Sequence, residues 1–330
     1  MFNKKLDILV LGADGMLGHD VHEMLSKMAA TPKSKIGVVT GLTHKDISLD
    51  VPYALSAYFM KSIHYDFCIN CAAFTDTTAA EGDGEHQSYI MNALVPKYIA
   101  EACEFKKTHL IHVSTDYVFS EFSEHEDNTL RRDEFPTNQY GLHKLLGEQN
   151  VRLAMPSGRW CIARTSWLYG QHKSKSFVHK FVRNMKKALG ELVPGTKNPL
   201  LAVPDDQMSI PTSTERFCTM LLRAIYQRKR GIVNICGGCT GIPNMASRFE
   251  FADMILNWYT GKMTRVVPVD ATIVPIKTEF KPIHYPLNSA LSCYDKNTES
   301  LRKGDGDMDN WKCDLFKFLD QYGEQIWNKA

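Results

Sequence analysis

The sequence predicts an α/β fold, a doubly wound parallel sheet with a smaller C-terminal lobe. Three observations carry that expectation. An apolar run of strand length near the N-terminus ends in a glycine turn that leads into a helical pattern. Strand-like and helical segments then alternate through the first half, as in sheets covered on both faces. After Trp167 the pattern changes to shorter segments rich in turn residues.

The opening run, Leu6 to Leu11, leads into Gly12-Ala-Asp-Gly-Met-Leu-Gly18 and a helix to about Met28. Strand, glycine turn and helix in this order begin a Rossmann-type dinucleotide-binding βαβ unit. The glycines serve a tight turn, close approach of the backbone to a pyrophosphate, and close packing of helix on strand. The helix N-terminus then offers N–H groups to phosphates. The spacing is Gly-x-x-Gly-x-x-Gly. A second strand, Ile36 to Thr40, follows a loop with Pro32 and Lys33. A site selective for NAD places an acid near the end of this strand to bind the ribose 2′-hydroxyl. Here Thr40-Gly-Leu-Thr-His-Lys45 has no acid before Asp46, and a His or Lys suits a 2′-phosphate. NADPH is therefore favoured, with NADH as the alternative.

Apolar residues at 51, 54, 55, 58, 59 and 63 make a helical stripe. Asp66-Phe-Cys-Ile-Asn-Cys-Ala-Ala73 reads as a buried strand, ending in small residues, Ala72 and Ala73, where a cofactor could lie close. An acidic loop, Glu81 to Glu85, leads to a long helix ending near Phe105, then to the strand His109 to Val113 with its exit Ser114-Thr-Asp-Tyr-Val-Phe119. Ser120 to Arg132 is polar and aperiodic and reads as a mobile flap. A helix carrying Tyr140 and Lys144 precedes the strand Trp160 to Arg164. Ligands of such sheets bind outside the carboxyl ends of the strands. Gly12, Ala73, Ser114-Thr115 and Thr165-Ser-Trp167 should therefore converge on one crevice. Helices are expected over Phe177 to Leu189 and Thr214 to Gln227, and a strand over Ile232 to Cys236 should rejoin the sheet. From Gly237 the chain reads as loop-rich, closing with an amphipathic helix whose stripe is Trp311, Leu315, Phe318, Leu319, Tyr322 and Ile326. The expected division is a dinucleotide-binding domain, residues 1–166 plus about 213–236, and a substrate-binding lobe, residues 167–212 and 237–330.

Composition narrows the function classes. The chain has 330 residues, near the size at which chains split into two domains. A net charge of +2 gives no global footprint for nucleic acid or a membrane surface. The longest apolar runs are strand-sized, far short of a membrane span. The N-terminus has no signal-peptide pattern, so a cytoplasmic location is the default expectation. Nine scattered cysteines suit a reducing compartment. Cys68/Cys71 and Cys236/Cys239 have Cys-x-x-Cys spacing, but both pairs lie in or just after apolar strand-like runs, where small buried thiols are common. No metal is expected.

Tyr140 and Lys144 are four apart on one helix face. A phenol beside an ammonium is a proton donor whose pKa the cation lowers. In isolation such a pair also fits a solvated helix face; its weight comes from the strand ends around it.

Several motifs together resemble the extended short-chain dehydrogenase/reductases, and within them the dTDP-4-dehydrorhamnose reductase family. They are Gly12-x-x-Gly-x-x-Gly18, Asn70-Cys-Ala-Ala-Phe-Thr75, Asn92-Ala93, Ser114-Thr-Asp-Tyr-Val-Phe119, Tyr140-Gly-x-x-Lys144 with Gly147-Glu148, and Arg164-Thr-Ser-Trp-x-Tyr-Gly170. Asp206-Gln207 with Pro211-Thr212, Phe249-Glu-Phe-Ala252 and Pro286-x-Asn-Ser289 also fit. The resemblance implies reduction of a nucleotide-linked 4-keto-6-deoxy sugar by NAD(P)H. Tyr140 would donate the proton, Lys144 would hold the nicotinamide ribose and lower the Tyr140 pKa, and Thr115 would hydrogen-bond the carbonyl oxygen. Asp116 and Trp167 would contact the sugar. Gly12, Gly15 and Gly18 would shape the cofactor site, with Met16 and Leu17 offering N–H groups to the pyrophosphate. Asp46 and Ile47 would border the adenine, and Ala72, Ala73 and Thr75 would line the cofactor. A homodimer is the default for such enzymes.

The chain departs from the family pattern at Thr78-Ala79-Ala80, at Ser209 where glycine is usual, and at Tyr285 where an arginine commonly precedes the proline. Two other readings share the fold. A silent regulatory subunit resembling methionine adenosyltransferase β has no need of the retained Tyr140, Lys144 and Thr115. An epimerase-reductase of the GDP-fucose synthase kind would carry a cysteine where Asp116 stands.

Overall fold

The computed structural model describes residues 4–119, 134–191, 201–238, 245–267, 271–278, 291, 296–302 and 310–330. The flap expected over Ser120 to Arg132 lies outside these residues, as do Cys239, Tyr285 and Pro286-x-Asn-Ser289. The N-terminal half runs β1 (Leu6–Leu11), α1 (Met16–Ala29), β2 (Ile36–Leu42), α2 (Ala54–Lys61) and β3 (Phe67–Asn70). One long helical segment follows, in which α3 (Glu85–Tyr89) passes through a π turn (Ile90–Leu94) into α4 (Val95–Lys106). Then come β4 (His109–Thr115), α5 (Gln139–Ala154) and β5 (Trp160–Thr165).

These strands join β10 (Gly231–Asn234) in one six-stranded sheet of order β10-β5-β4-β3-β1-β2. Every pairing in it is parallel. Such a sheet is buried on both faces, so its strands read as continuous apolar runs. Ile8, Leu9, Val10 and Leu11 all have no exposed surface. Ile8 and Val10 pack on one face with Val21, Leu25, Phe217 and Leu221; Leu9 and Leu11 pack on the other with Leu55, Phe59, Ile99 and Cys103. Full burial of each such side chain is worth about 1.5–3 kcal/mol. Because β1 sits between β2 and β3, the chain leaves it in opposite directions, and the switch point opens a crevice at the carboxyl ends of β1 and β3.

The remaining elements are β6 (Leu168–Tyr169), α6 (Phe177–Glu191), β7 (Leu201–Pro204), β8 (Met208–Ser209), β9 (Thr212–Ser213) and α7 (Thr214–Tyr226). After β10 come β11 (Ala246–Ser247), α8 (Arg248–Lys262), β12 (Ile273–Ile276), α9 (Lys296–Arg302) and α10 (Trp311–Lys329). α6, α8 and α10 share a second core, in which Phe181, Phe251, Ile255, Tyr259, Trp311, Leu315 and Leu319 are buried. The expected α10 stripe is buried except for Tyr322, which is partly buried.

Here the structure differs from the loop-rich expectation, because α8 is a 15-residue helix. Ser247 and Glu250 form a capping box at its start, a signal present in the sequence. Its buried residues Phe251, Ala252, Ile255, Leu256, Trp258 and Tyr259 fall on one face at helical spacing, widened at its edges by partly buried Phe249 and Met254. Among the described residues, no helix is long and apolar enough to cross a membrane.

Candidate active site

The glycine turn is built for close contact. Gly12 adopts φ +74°, and a Cβ there would lie 2.8 Å from the Ala72 nitrogen across the crevice. At Gly18 a Cβ would lie 2.1 Å from the Gly12 carbonyl oxygen, so only glycine lets α1 sit this close to the turn. Gly15 caps α1 without a side-chain hydrogen bond, and no acid occupies the first turn. The first N–H groups of a helix have no intrahelical acceptor, so Met16 and Leu17 fit a pyrophosphate.

A cleft opens beside this turn. It is lined by Gly12, Asp14, Gly15, Thr43, His44, Ile47, Ser48, Leu49, Asp50, Cys71, Ala72, Ala73, Phe74, Gln87 and Met91. It therefore gathers Gly12, Gly15, Ile47, Ala72 and Ala73 from the sequence reading. Thr75 is exposed just beyond the lining, and the Asp46 carboxylate turns onto its own loop, accepting from Thr43 N at 2.8 Å and Thr43 Oγ1 at 2.7 Å. Gln87 of α3 and Met91 of the π turn also line the cleft, and no local signal in the sequence marked them. Asn92 in this turn clamps the exit of β3, accepting from Phe74 N at 3.1 Å and donating to Phe74 O at 2.9 Å.

Two side chains crowd the glycine turn from outside. Lys173 Nζ donates to Asp14 Oδ2 at 2.8 Å, and His44 lies 3.3 Å from the same oxygen. The Lys173 hydrogen bond is the main reason the Asp14 carboxyl is held below its usual pKa.

Further along the same edge, β4 delivers Thr115 and α5 delivers Tyr140 and Lys144. α5 starts where the Asn138 side chain accepts from Gly141 N at 2.8 Å. It can press onto the turn after β4 because residue 141 is glycine: a Cβ there would lie 2.2 Å from the Tyr117 carbonyl oxygen. Half-buried Tyr140 meets Tyr117 edge to face, with centroids 5.8 Å apart. Lys144 is almost wholly buried and donates to the Val113 carbonyl at 2.7 Å. Burial pushes its pKa down to about 8, against the opposing influence of Glu148 and then Cys71. Cys71 also lines the cleft, so the two parts of the site adjoin.

The structure revises one expectation, that Lys144 lowers the Tyr140 pKa. The phenol is instead pushed up, first by burial and then by the Asp116 carboxylate, while Thr115 acts in the opposite sense. The Lys144 ammonium is turned to the Val113 carbonyl. Tyr140 is thus protonated at neutral pH, the state a proton donor needs.

Thr115 Oγ1 donates to Asp116 Oδ1 at 3.1 Å, and Ser209 Oγ donates to Asp116 Oδ2 at 2.8 Å. Asp116 is almost wholly buried. Trp167 has φ +40°, a backbone conformation that costs a non-glycine residue about 1–3 kcal/mol and clusters at functional sites. Its ring stacks on Phe251, with the Arg248 guanidinium 3.5 Å from the ring centroid. Beneath the site, buried Glu148 of α5 grips Arg164 of β5 through two hydrogen bonds, 2.9 and 2.7 Å. Among the described residues, no group of three or more His, Cys, Asp or Glu is placed to hold a metal.

Comparison with known proteins agrees with this arrangement. The profile of the family described as RmlD substrate binding domain matches residues 6–324. The chain is 33% identical over 268 residues to a dTDP-4-keto-6-deoxy-D-glucose reductase of Streptomyces niveus, covering 79% of this chain and 81% of that protein. It is 31% identical over 271 residues to a dTDP-4-dehydrorhamnose reductase of Mycobacterium tuberculosis, covering 81% and 80%. A solved dTDP-4-dehydrorhamnose reductase from Clostridium acetobutylicum matches with a TM-score of 0.76 at 26% identity, covering 96% of this chain and 100% of that one. The agreement runs from the first strand into the last helix, and the chain belongs to the dTDP-4-dehydrorhamnose reductase family of extended short-chain dehydrogenase/reductases.

Proposed function

We propose that this chain reduces the C4 ketone of a nucleotide-linked 4-keto-6-deoxy sugar, of the dTDP-4-dehydrorhamnose kind, using NADPH ahead of NADH. The observation that carries the reading is the grouping of Thr115, Tyr140 and Lys144 at the end of β4, beside Cys71 at the rim of the glycine cleft. A reduced nicotinamide bound there supplies the hydride. Met16 and Leu17 take its pyrophosphate, Ile47 borders the adenine, Ala72, Ala73 and Thr75 line the bound chain, and Lys144 holds the nicotinamide ribose. His44 and Lys45, with no acid before Asp46, suit a 2′-phosphate.

Tyr140, protonated at neutral pH, gives its proton to the C4 oxygen as general acid. The Thr115 hydroxyl turns from Asp116 to that oxygen, a donor of the kind worth about 2.7–4 kcal/mol in the transition state. Asp116 and Trp167 contact the sugar. Residues 1–166 with about 213–236 form the cofactor domain, and 167–212 with 237–330 the lobe that covers the substrate. The enzyme works in the cytoplasm, as a homodimer by the usual habit of such folds.

The test is direct. The protein is incubated with NADPH and enzymatically prepared dTDP-4-keto-rhamnose, with the UDP counterpart in parallel, and loss of nicotinamide absorbance is followed. Oxidation with either sugar supports the reading. No oxidation with either sugar, with NADPH or NADH, refutes it.

A further inference from the structure

Ser209 ends the short strand β8, opposite Ala246 of β11, and has no exposed surface. Its hydroxyl reaches Asp116 Oδ2 at 2.8 Å from 93 residues away in the chain, while the neighbouring Thr115 hydroxyl holds Oδ1 at 3.1 Å. A carboxylate that accepts one hydroxyl at each oxygen cannot swivel about its Cβ–Cγ bond without breaking one of the two bonds. Both donors are neutral and the acceptor is charged, which makes such bonds stronger than neutral pairs.

The segment that carries Ser209 is itself fastened on both sides. Arg248 N donates to the Gln207 carbonyl at 3.0 Å, and Ser166 Oγ donates to the Ile210 carbonyl at 2.6 Å. The hydroxyl is thus delivered to Asp116 by a fixed piece of backbone. A glycine at this position would supply the backbone without the donor.

We propose that Ser209 is a positioning residue for the reduction: it fixes the Asp116 carboxylate, and through Asp116 it fixes the Thr115 hydroxyl beside Tyr140. The pinned carboxylate has two consequences. It meets the sugar in one fixed orientation. Thr115, whose proton rests on Asp116 between turnovers, is kept at one rotamer from which it can swing to the substrate oxygen. The proposal rests on the reductase reading above.

The experiment measures kcat and KM for the 4-keto sugar nucleotide, and Kd for NADPH by calorimetry, in wild type, Ser209→Ala and Ser209→Gly, each also crossed with Asp116→Ala. Both single variants should lose about tenfold in kcat/KM, chiefly through a higher KM, as expected for one lost bond to a charged group. NADPH affinity should stay within about twofold of wild type. In the Asp116→Ala background, removing the Ser209 hydroxyl should add less than about a twofold loss, since the group it holds is gone. Two results overturn the proposal: wild-type kcat/KM in both single variants, or the same tenfold loss persisting without Asp116. A wild type that turns over no sugar refutes the reductase reading and this proposal with it, whereas an active wild type with unaffected Ser209 variants refutes this proposal alone.

Discussion

Glu148→Gln removes a buried charge from the inner flank of α5. The Glu148 side chain has no exposed surface; it binds Arg164 at 2.9 and 2.7 Å and reaches Arg152 at 3.2 Å. Arg152 is about one-third exposed and can return to water, but Arg164 is 5% exposed and keeps only Glu134 as its anionic partner among these contacts. Breaking a buried pair by removing one partner costs about 3–5 kcal/mol, and the surviving Glu134 contact places this case near the lower bound. With an unfolding entropy of about 2.1 cal/mol/K per residue, a loss of about 3 kcal/mol lowers Tm by about 4 °C in a chain of this length. Calorimetry of wild type and Glu148→Gln measures it. Glu191→Gln serves as control, because the Lys187–Glu191 pair is largely exposed, at 76% and 67%, and should move Tm by less than about 1 °C. The double change Arg164→Met with Glu148→Leu should recover much of the loss, since replacing both partners removes the stranded charge. Equal Tm values for Glu148→Gln and Glu191→Gln would refute the reasoning.

Tyr140→Phe should lower kcat by about 10²–10⁴-fold, the usual contribution of a general acid, with NADPH affinity unchanged by calorimetry; lost affinity would mean that the ring is structural. Gly18→Ala sets a methyl 2.1 Å from the Gly12 carbonyl, so α1 must shift, and NADPH Kd should rise by at least about tenfold in a fluorescence titration. Lys144, with its pKa pushed down to about 8, should give kcat/KM a basic limb near that pH. Glu148→Gln should move the limb lower still because Glu148 raises the Lys144 value, and a limb at or above about pH 10 would contradict this. Burial pushes His109 down to about 4, below its unfolded value of about 6.5. The unfolded chain therefore gains a proton first on acidification, and the stability present above pH 6.5 is lost as pH falls toward 4. Between pH 7 and 5 this amounts to about 2 kcal/mol by linkage. Urea titrations at the two pH values should show a smaller loss in His109→Gln.

Much of the cofactor half was legible because its signals are local. Leu6 to Leu11 is a continuous apolar run, and Gly12 to Gly18 is a turn that few other residues could make. Thr115 and Tyr140 were legible as types at a strand end and on a helix. Their hydrogen-bond states were not, because Lys144 binds a carbonyl 31 residues earlier and Asp116 is gripped from 93 residues away. The lobe hid for a related reason. β6 pairs with β9, β7 with β12 and β8 with β11, strands of two to four residues whose partners are set by tertiary packing. α8 was missed although its Ser247–Glu250 cap and its buried positions at helical spacing were there to be read.

α5 serves three clients from one flank. Tyr140 addresses the reacting oxygen in the proposed reduction, Lys144 ties back to β4, and Glu148 anchors β5, each one turn beyond the last. A single inserted or deleted residue within that run would rotate everything after it by about 100° and separate the acid from its supports. Leu142 and Leu153, by contrast, are exposed at 39% and 81% and answer to none of these demands. Descent with modification should therefore be free to rewrite the outer flank of this helix, where partners and solubility are negotiated, while the inner flank is inherited as a block.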